Sequence, residues 1–443
     1  MSQSLTEIAQ KLKDSNKKVQ LIYAFNGSGK TRLSHAFKDL VTPSSAESHP
    51  VDDVEPSRNK ILYYNAFTED LFYWDNDSLS GAKPKLKIQP NSFTGWLIQL
   101  LQELGEERNI ASHFQRYTSS KATPIFNEDH KEKQIGSDGK EIEVKIPAYS
   151  EVSFQVAATN PNEPEAFDPS VGDEPIVAQG QYETIKISKG EESNFVWSVM
   201  FSLLEQVISA LNEQEVPDRI TDKFNQLEYV FIDDPVSSLD DSHLIELAVD
   251  LATLIKNSAF TESRGLKFIL TTHSPLFYNV LYNELNNDLE NPNPDGTPRW
   301  LYKRGQSAKF RLNKKADGTF ELLSSNDHPF SYHLFLLSEI NQAIKAGQIK
   351  RYHFSFLRNI LEKTATFLGY ERWEHLLEKK ADGTPNPFVS RLMNLASHSA
   401  HGGEEVADID DKDKVKLDEL VKYLTKTYGF KKHAEQGGSN EKP

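Results

Sequence analysis

The chain of 443 residues contains no cysteine. That excludes disulfide staples, thiol nucleophiles and thiolate-bound zinc or iron–sulfur clusters, and it suits a reducing compartment. No apolar run approaches the length of a membrane span, and Ser2-Gln3-Ser4-Leu5-Thr6-Glu7-Ile8 lacks the apolar core of a secretion signal. A cytoplasmic protein without membrane attachment is the expectation. Positive charge is scarce overall: a formal net charge of −15 argues against indiscriminate coating of nucleic acid. The deficit is uneven, because 13 Lys/Arg face 7 Asp/Glu between Arg299 and His375, net +6 against −21 for the remainder. A basic island in an acidic chain reads either as one local polyanion site or as a solvated charged face. No internal repeat is visible. What is present suffices for packed cores, since 37% of residues are hydrophobic, and the length is too great for one ordinary domain.

Ser4 to Lys13 reads as a short helix with Ser4 and Glu7 as a capping box. Val19 to Ala24 reads as a buried strand, and a glycine-rich turn leads into a helix from Thr31 to Leu40. Ile61 to Tyr64 is the next strand, and Trp96 to Leu104 looks helical. Alternation in Glu141 to Ile146 after Ser137-Asp138-Gly139 predicts a hairpin within Phe126 to Ala157. A flexible acidic insert is expected over about 151–178. A long helix from Glu191 to Leu211 follows. Tyr229 to Ile232 and Phe268 to Leu270 fit parallel strands separated by a helix, His243 to Ile255. Beyond residue 329 the pattern is helical: Tyr332 to Ala346, Tyr352 to Leu368, Ser390 to Ser397 and Lys412 to Thr427. The expected division is an α/β lobe over 1–298 and a mainly α-helical lobe over 299–443, with the boundary falling between about Arg299 and Pro329.

Asn26-Gly27-Ser28-Gly29-Lys30-Thr31-Arg32 follows the first strand and opens a helix, the setting a phosphate loop requires. Gly27 and Gly29 let backbone N–H groups curl around phosphate oxygens. Lys30 reaches the terminal phosphates, and the Thr31 hydroxyl can bind magnesium. Val230 to Asp234 is an apolar strand ending in two carboxylates. Asp233 would hold magnesium through its water shell, and Asp234 would orient or deprotonate the attacking water. Ser188, Gly190 and Glu191 sit where a helix opens, so Ser188 and the Gly190 backbone could donate to a γ-phosphate. His273 lies just past a strand end.

As an ordered set over about residues 17–290, these segments resemble the ATP-binding-cassette ATPases. The resemblance implies a Walker A loop, a signature at Ile187-Ser188-Lys189-Gly190-Glu191, a Walker B strand, a dimer-contacting Ser237-Ser238-Leu239-Asp240 and a switch histidine. It also implies a head-to-tail dimer closing on nucleotide. The sequence departs from it at Ala24, at Lys189 (normally glycine) and at Asp234 (normally glutamate). The shorter carboxylate at Asp234 suits slow turnover, a switch more than a motor.

In the C-terminal lobe Arg358 and Glu362 are spaced i and i+4, so both project from one helix face. His398 ends the predicted helix over Ser390 to Ser397, with His401 a nearby competitor. Metal-independent RNA cleavage needs a base for the ribose 2′-OH, a cation for the phosphorane and an acid for the departing 5′-oxygen. Arg358, Glu362 and His398 supply one group of each type, with base and acid not yet divided between Glu362 and His398. Arg299-Trp300-Leu301-Tyr302-Lys303-Arg304 with Lys309-Phe310-Arg311 reads either as contact with an RNA loop or as a strand pair closing the ATPase lobe. Tyr63, Tyr64, Phe67, Phe72, Tyr73 and Trp74 read as core or interface packing, or as a base contact.

Leu21 to Gly27, Ile61 to Asp77, Lys189 to Phe195, Phe231 to Asp240, Arg358-Asn359-Ile360-Leu361-Glu362 and Ser397-His398-Ser399 together resemble the bacterial anticodon nucleases of the PrrC type, nearly end to end. The resemblance implies that Arg358, Glu362 and His398 form a catalytic triad. It implies cleavage of lysine tRNA on the 5′ side of the wobble base, leaving a 2′,3′-cyclic phosphate and a 5′-OH. It further implies silencing by a type I DNA restriction–modification complex until a phage-encoded activator intervenes, and Mg2+ with GTP or ATP. dTTP would be a regulatory nucleotide, and the assembly a homodimer or a tetramer. A DNA-repair ATPase of the cassette class would carry hundreds of residues of heptad coiled coil between phosphate loop and signature, and this interval holds none. An NTP-sensing scaffold, with Arg358 and Glu362 as a mere salt pair, is the other alternative.

Overall fold

A computed structural model describes residues 2–42, 60–65, 72–75, 84–89, 97, 100, 103–118, 120–135, 141–157, 182–235, 241–261, 264–292, 295–315, 317–325, 332–377 and 409–430. The predicted helix over Trp96 to Leu104 falls partly outside these residues. The acidic residues 158–178, Phe67, Ser237 to Asp240, the predicted helix over Ser390 to Ser397, His398 and His401 lie wholly outside them. The chain divides into two compact units, Met1–Phe330 and Ser331–Pro443.

In chain order the first unit contains α1 (Leu5–Asp14), β1 (Val19–Ala24), α2 (Lys30–Val41), β2 (Ile61–Asn65), β3 (Phe72–Asp75) and β4 (Lys85–Ile88). Next come α3 (Glu107–Thr118), β5 (Thr123–Phe126), β6 (His130–Ile135), β7 (Glu141–Ile146), β8 (Glu151–Ala157) and β9 (Tyr182–Ile185). The unit closes with α4 (Lys189–Asn212), β10 (Tyr229–Asp233), α5 (Asp241–Asn257), β11 (Lys267–Thr272), α6 (Pro275–Glu284), β12 (Leu289–Glu290), β13 (Trp300–Tyr302), β14 (Ser307–Lys314) and β15 (Phe320–Ser324).

The main sheet runs β15-β14-β1-β11-β10-β2 and is parallel except for β15. Every residue of β1 and β10 is buried, as strands covered on both faces must be. Burial of β1 extends to Lys18, whose ammonium is pushed down to about 7 by desolvation. Its Nζ donates to the carbonyls of Lys256 and Ser258, tying β1 to the end of α5. The capping box of α1 forms as expected, with the Ser4 hydroxyl accepting from Glu7 N and Glu7 Oε2 from Ser4 N.

A second sheet, β3-β4-β8-β5 with β9 on β8, and the separate hairpin β6-β7 occupy the interval between phosphate loop and signature. The hairpin is where alternation places it. The flexible insert, by contrast, does not begin at 151: Glu151–Ala157 is strand β8, paired with β4, β5 and β9. Val152 and Phe154 alternate into the core, and buried Glu151 is ion-paired to Lys85 at 2.9 Å. Phe154, Phe114 of α3, Phe72 and Phe195 pack ring on ring. The helix α4 has the length and apolar content of a membrane crossing, but 72% of its apolar window is buried inside the unit, so it serves as core.

The boundary falls at the far end of the expected interval, after Phe330. Residues 299–330 were expected in the second lobe, yet β14 lies parallel against β1 and β15 pairs with β14. A strand hydrogen-bonded beside β1 belongs to its sheet whatever its charge, so the basic, aromatic Trp300–Tyr302 and Lys309-Phe310-Arg311 close the first unit. Gln3 bridges to Phe320, fastening the start of the chain to the same edge.

The second unit has three described helices, α7 (Tyr332–Lys345), α8 (Arg351–Leu368) and α9 (Asp411–Tyr428). Phe354, Leu357, Leu361 and Ala365 form the buried stripe of α8, packed with Leu336, Ile340, Trp373 and Leu420. Gly369 ends α8 in the left-handed conformation, φ 77°.

Candidate active sites

The residues expected to bind nucleotide gather at the carboxyl ends of the parallel strands, where open α/β sheets place ligands. Gly27 and Gly29 adopt φ 76° and 95°, which a side chain would strain. A Cβ on Gly29 would also stand 3.0 Å from the Phe320 ring, over which Arg32 lies at 5.9 Å. Ser28 Oγ donates to Phe25 O at 2.5 Å and fixes the loop. Lys30 curls back into it, donating to Asn26 Oδ1 at 3.1 Å and standing 3.5 Å from Asp234 Oδ2.

The paired carboxylates are each 1% exposed and take different partners. Asp233 accepts from Thr31 Oγ1 at 2.9 Å and from Thr271 Oγ1. Burial raises its carboxyl above the usual range, and these hydroxyls offset only part of that. Asp234 is also pushed up by burial, but the His273 hydrogen bond and the Lys30 charge outweigh it and hold the carboxyl low. It accepts from His273 N at 3.2 Å and from Thr272 Oγ1 at 3.4 Å, and it pairs with His273 Nδ1. An ionised carboxylate can only accept, so Nδ1 of His273 is the donor in this pair. Asp234 has φ 54°, a left-handed backbone that Asp tolerates better than most residues.

The sequence reading assigned no role to Thr271 and Thr272, although a Thr-Thr-His run at the end of an apolar strand is a visible signal. Asn65, register-paired with Asp233, donates to Tyr63 OH at 3.2 Å, and Tyr63 OH meets Ser34 Oγ of α2 at 3.0 Å. Tyr64 packs against Trp197, ring centroids 5.3 Å apart, and Phe72 against Phe195 at 5.4 Å. These described members of the aromatic cluster therefore include interior packing. Thr31 and Asp233 present hard oxygen donors beside each other, a set that fits Mg2+ shared with nucleotide phosphates.

At the signature, Ser188 caps α4 and Gly190 is its second residue. Ser188 Oγ accepts from Glu191 N at 3.3 Å, and Glu191 Oε2 from Ser188 N at 2.8 Å. Because Oγ accepts within the cap, its O–H keeps donor capacity toward an anion. Burial raises the Glu191 carboxyl, but the cap hydrogen bonds prevail and lower it.

In the second unit Arg358 Nε donates to Glu362 Oε1 at 2.8 Å. The side chains are 31% and 46% exposed, on the flank of α8 that the core stripe leaves open. The structure thus brings together two of the three expected nuclease groups, and His398 lies outside the described residues.

The family profile described as AAA domain matches residues 217–427. An Escherichia coli protein named anticodon nuclease is 43% identical over 460 residues, covering 99% of this chain and all of its own length. Among solved structures, an SMC head bound to the C-winged helix domain of ScpA has 11% identity and a TM-score of 0.28, covering 70% of this chain and 90% of its own. The SMC head domain from Thermotoga maritima has 10% identity and a TM-score of 0.26, with 70% and 91% covered.

Proposed function

The chain belongs to the anticodon nuclease family, and from that premise we propose how its two units divide the work. It is a tRNA anticodon endoribonuclease with an ABC-type P-loop NTPase unit. The second unit carries the cut. A base takes the proton of the ribose 2′-OH, the 2′-oxygen bonds to phosphorus, the P–O5′ bond breaks, and an acid returns a proton to the 5′-oxygen. The products are a 2′,3′-cyclic phosphate and a 5′-OH. The nucleophile belongs to the substrate, so this chemistry needs no metal. Arg358 offsets the charge that grows on the phosphorane, and Glu362 and His398 share the base and acid roles. The Arg358–Glu362 pair at 2.8 Å on the open flank of α8 is the observation that supports this assignment.

The first unit is the gate. Asn26 to Arg32 wrap the phosphates of GTP or ATP, with Lys30 on the terminal ones. Thr31 and Asp233 would hold Mg2+, which supplies charge neutralisation at those phosphates when bound. Asp234 orients or deprotonates the attacking water, and His273 holds Asp234 through Nδ1 while its Nε2 side addresses the γ-phosphate. Ser188, Gly190 and Glu191 complete the site of a second copy, making a homodimer or a tetramer the working form. The substrate is lysine tRNA, cut 5′ of the wobble base in the cytoplasm. A type I restriction–modification complex keeps the enzyme silent until a phage-encoded activator appears, and dTTP holds the active state.

Sequencing both ends of the RNA fragments made by the activated protein tests the reading. Cuts confined to one anticodon position with cyclic-phosphate and 5′-OH ends are expected. Dispersed cuts, or 5′-phosphate ends, would refute it. Cleavage that persists in a folded His398→Ala protein would remove the histidine from the chemistry and overturn the triad.

A further inference from the structure

The signature turn is held from the side by a contact that the motif alone does not contain. Trp74 Nε1 on β3 donates to Glu192 Oε2 at 2.9 Å, and Lys189 Nζ donates to the other oxygen, Oε1, at 3.1 Å. Glu192 is only 7% exposed. A buried carboxylate needs such partners, so its position is set by them. The Trp74 ring is fixed in turn, lying 6.2 Å from the Phe154 ring of β8 with the Lys186 ammonium over it at 5.1 Å. One turn further along α4, Phe195 packs on Phe72 of the same strand β3. The second sheet also enters the turn covalently, because β9 ends at Ile185, just before Ser188.

From this geometry we infer that Trp74, acting through Glu192, is a positioning residue for the nucleotide-completing turn Ser188-Lys189-Gly190, and that the β3-β4-β8-β5 sheet is the support that sets it. Lys189 stands where the cassette family has glycine, and here its side chain bonds the same carboxylate. The inference rests on the proposed role of the signature turn. Displacing β3 by a fraction of a hydrogen-bond length would misaim Ser188 while leaving the Lys30–Asn26 and Thr31–Asp233 hydrogen bonds of the phosphate loop in place.

The test uses the full chain, with GTP and ATP as probes. Trp74→Phe keeps a ring against Phe154 and removes the N–H donor, and Ser188→Ala serves as the control for the signature. Nucleotide binding and steady-state hydrolysis are measured for both. The expected result is binding within about twofold of the parent and hydrolysis lowered about tenfold in each variant, the scale of one lost hydrogen bond to a charged group. Hydrolysis lost in Ser188→Ala but unchanged in Trp74→Phe would overturn the inference and leave the signature reading standing. Full hydrolysis in Ser188→Ala would overturn that reading, and the inference with it. A Trp74→Phe variant that weakens binding and hydrolysis together would mark Trp74 as a general packing residue and overturn the inference. Should that variant fail to fold, Glu192→Met decides by the same readouts. It keeps the length of the side chain but removes the acceptor for Trp74, and an unaltered hydrolysis rate would again refute the claim.

Discussion

Two clusters of opposite charge in this chain are built on contrasting plans. Around the phosphate loop, Lys30, Asp233 and Asp234 are buried and interlocked with Thr31, Thr271, Thr272 and His273. On α8, Arg358 and Glu362 hold each other in an exposed i,i+4 pair. Removing one partner of a buried charged pair costs about 3–5 kcal/mol, because the other charge is left desolvated. An exposed helical pair contributes about 0.3–0.5 kcal/mol. The buried cluster is therefore tied into the fold of its unit and shaped before any ligand arrives. The exposed pair does little for stability, which leaves its two side chains available to a substrate.

The largest effect that can break this contrast is on cleavage. Glu362→Gln, Arg358→Ala and His398→Ala are each expected to lower tRNA cleavage by about a thousandfold or more, with GTP or ATP hydrolysis retained. Cleavage and hydrolysis are assayed on the same preparation. If the two rates fall together in all three variants, the division of labour is wrong.

Next in size is the reciprocal change. Lys30→Ala should lower nucleotide hydrolysis by about a hundredfold and abolish nucleotide-gated activation if Lys30 is, as proposed, the cation at the terminal phosphates. The α7–α8–α9 core should melt as before, followed by circular dichroism. Normal gated activation in this variant would remove the phosphate loop from the mechanism.

The smallest effect sharpens the comparison through stability. The folded Asp234 carboxyl lies below its unfolded value, so the unfolded chain binds more protons as acid is added. The stability it contributes is complete above the unfolded carboxylate range and is lost as pH falls through the lowered folded value. Urea midpoints from about pH 6 to about pH 3 should therefore drop more steeply for the parent than for Asp234→Asn. Arg358→Ala should run parallel to the parent within about 0.5 kcal/mol at neutral pH. Equal slopes for Asp234→Asn and the parent would show that the buried carboxylate is not held as the geometry requires.

Much of the first unit was legible because its signals are local. A buried parallel strand is a short apolar run, and a phosphate loop is a strand, two glycines and a helix start, so β1, α2 and β10 stand where the sequence puts them. The fate of β14 was not local. Lys309 and Arg311 read equally as RNA contact or as a strand closing the first lobe until β1 is seen beside them, since pairing across almost three hundred residues leaves no trace in either segment. The same holds for β8, where Glu151 looks like the start of an acidic loop and is instead a buried partner of Lys85. In the sites, spacing alone put Arg358 and Glu362 on one face of α8. It could not reveal that Thr271 and Thr272 would brace the two carboxylates, because hydroxyl contacts between neighbouring strands depend on register.

The β14–β1 pairing and the Gln3–Phe320 bridge also impose an order on synthesis. The amino-terminal strand waits on the ribosome for a neighbour translated much later, and the main sheet is whole only when Ser324 has emerged. Every residue of the helical unit follows that moment. Since domains fold as units with the amino-terminal one first, the sheet that carries the glycine-rich loop can be assembled before the helical unit has been translated.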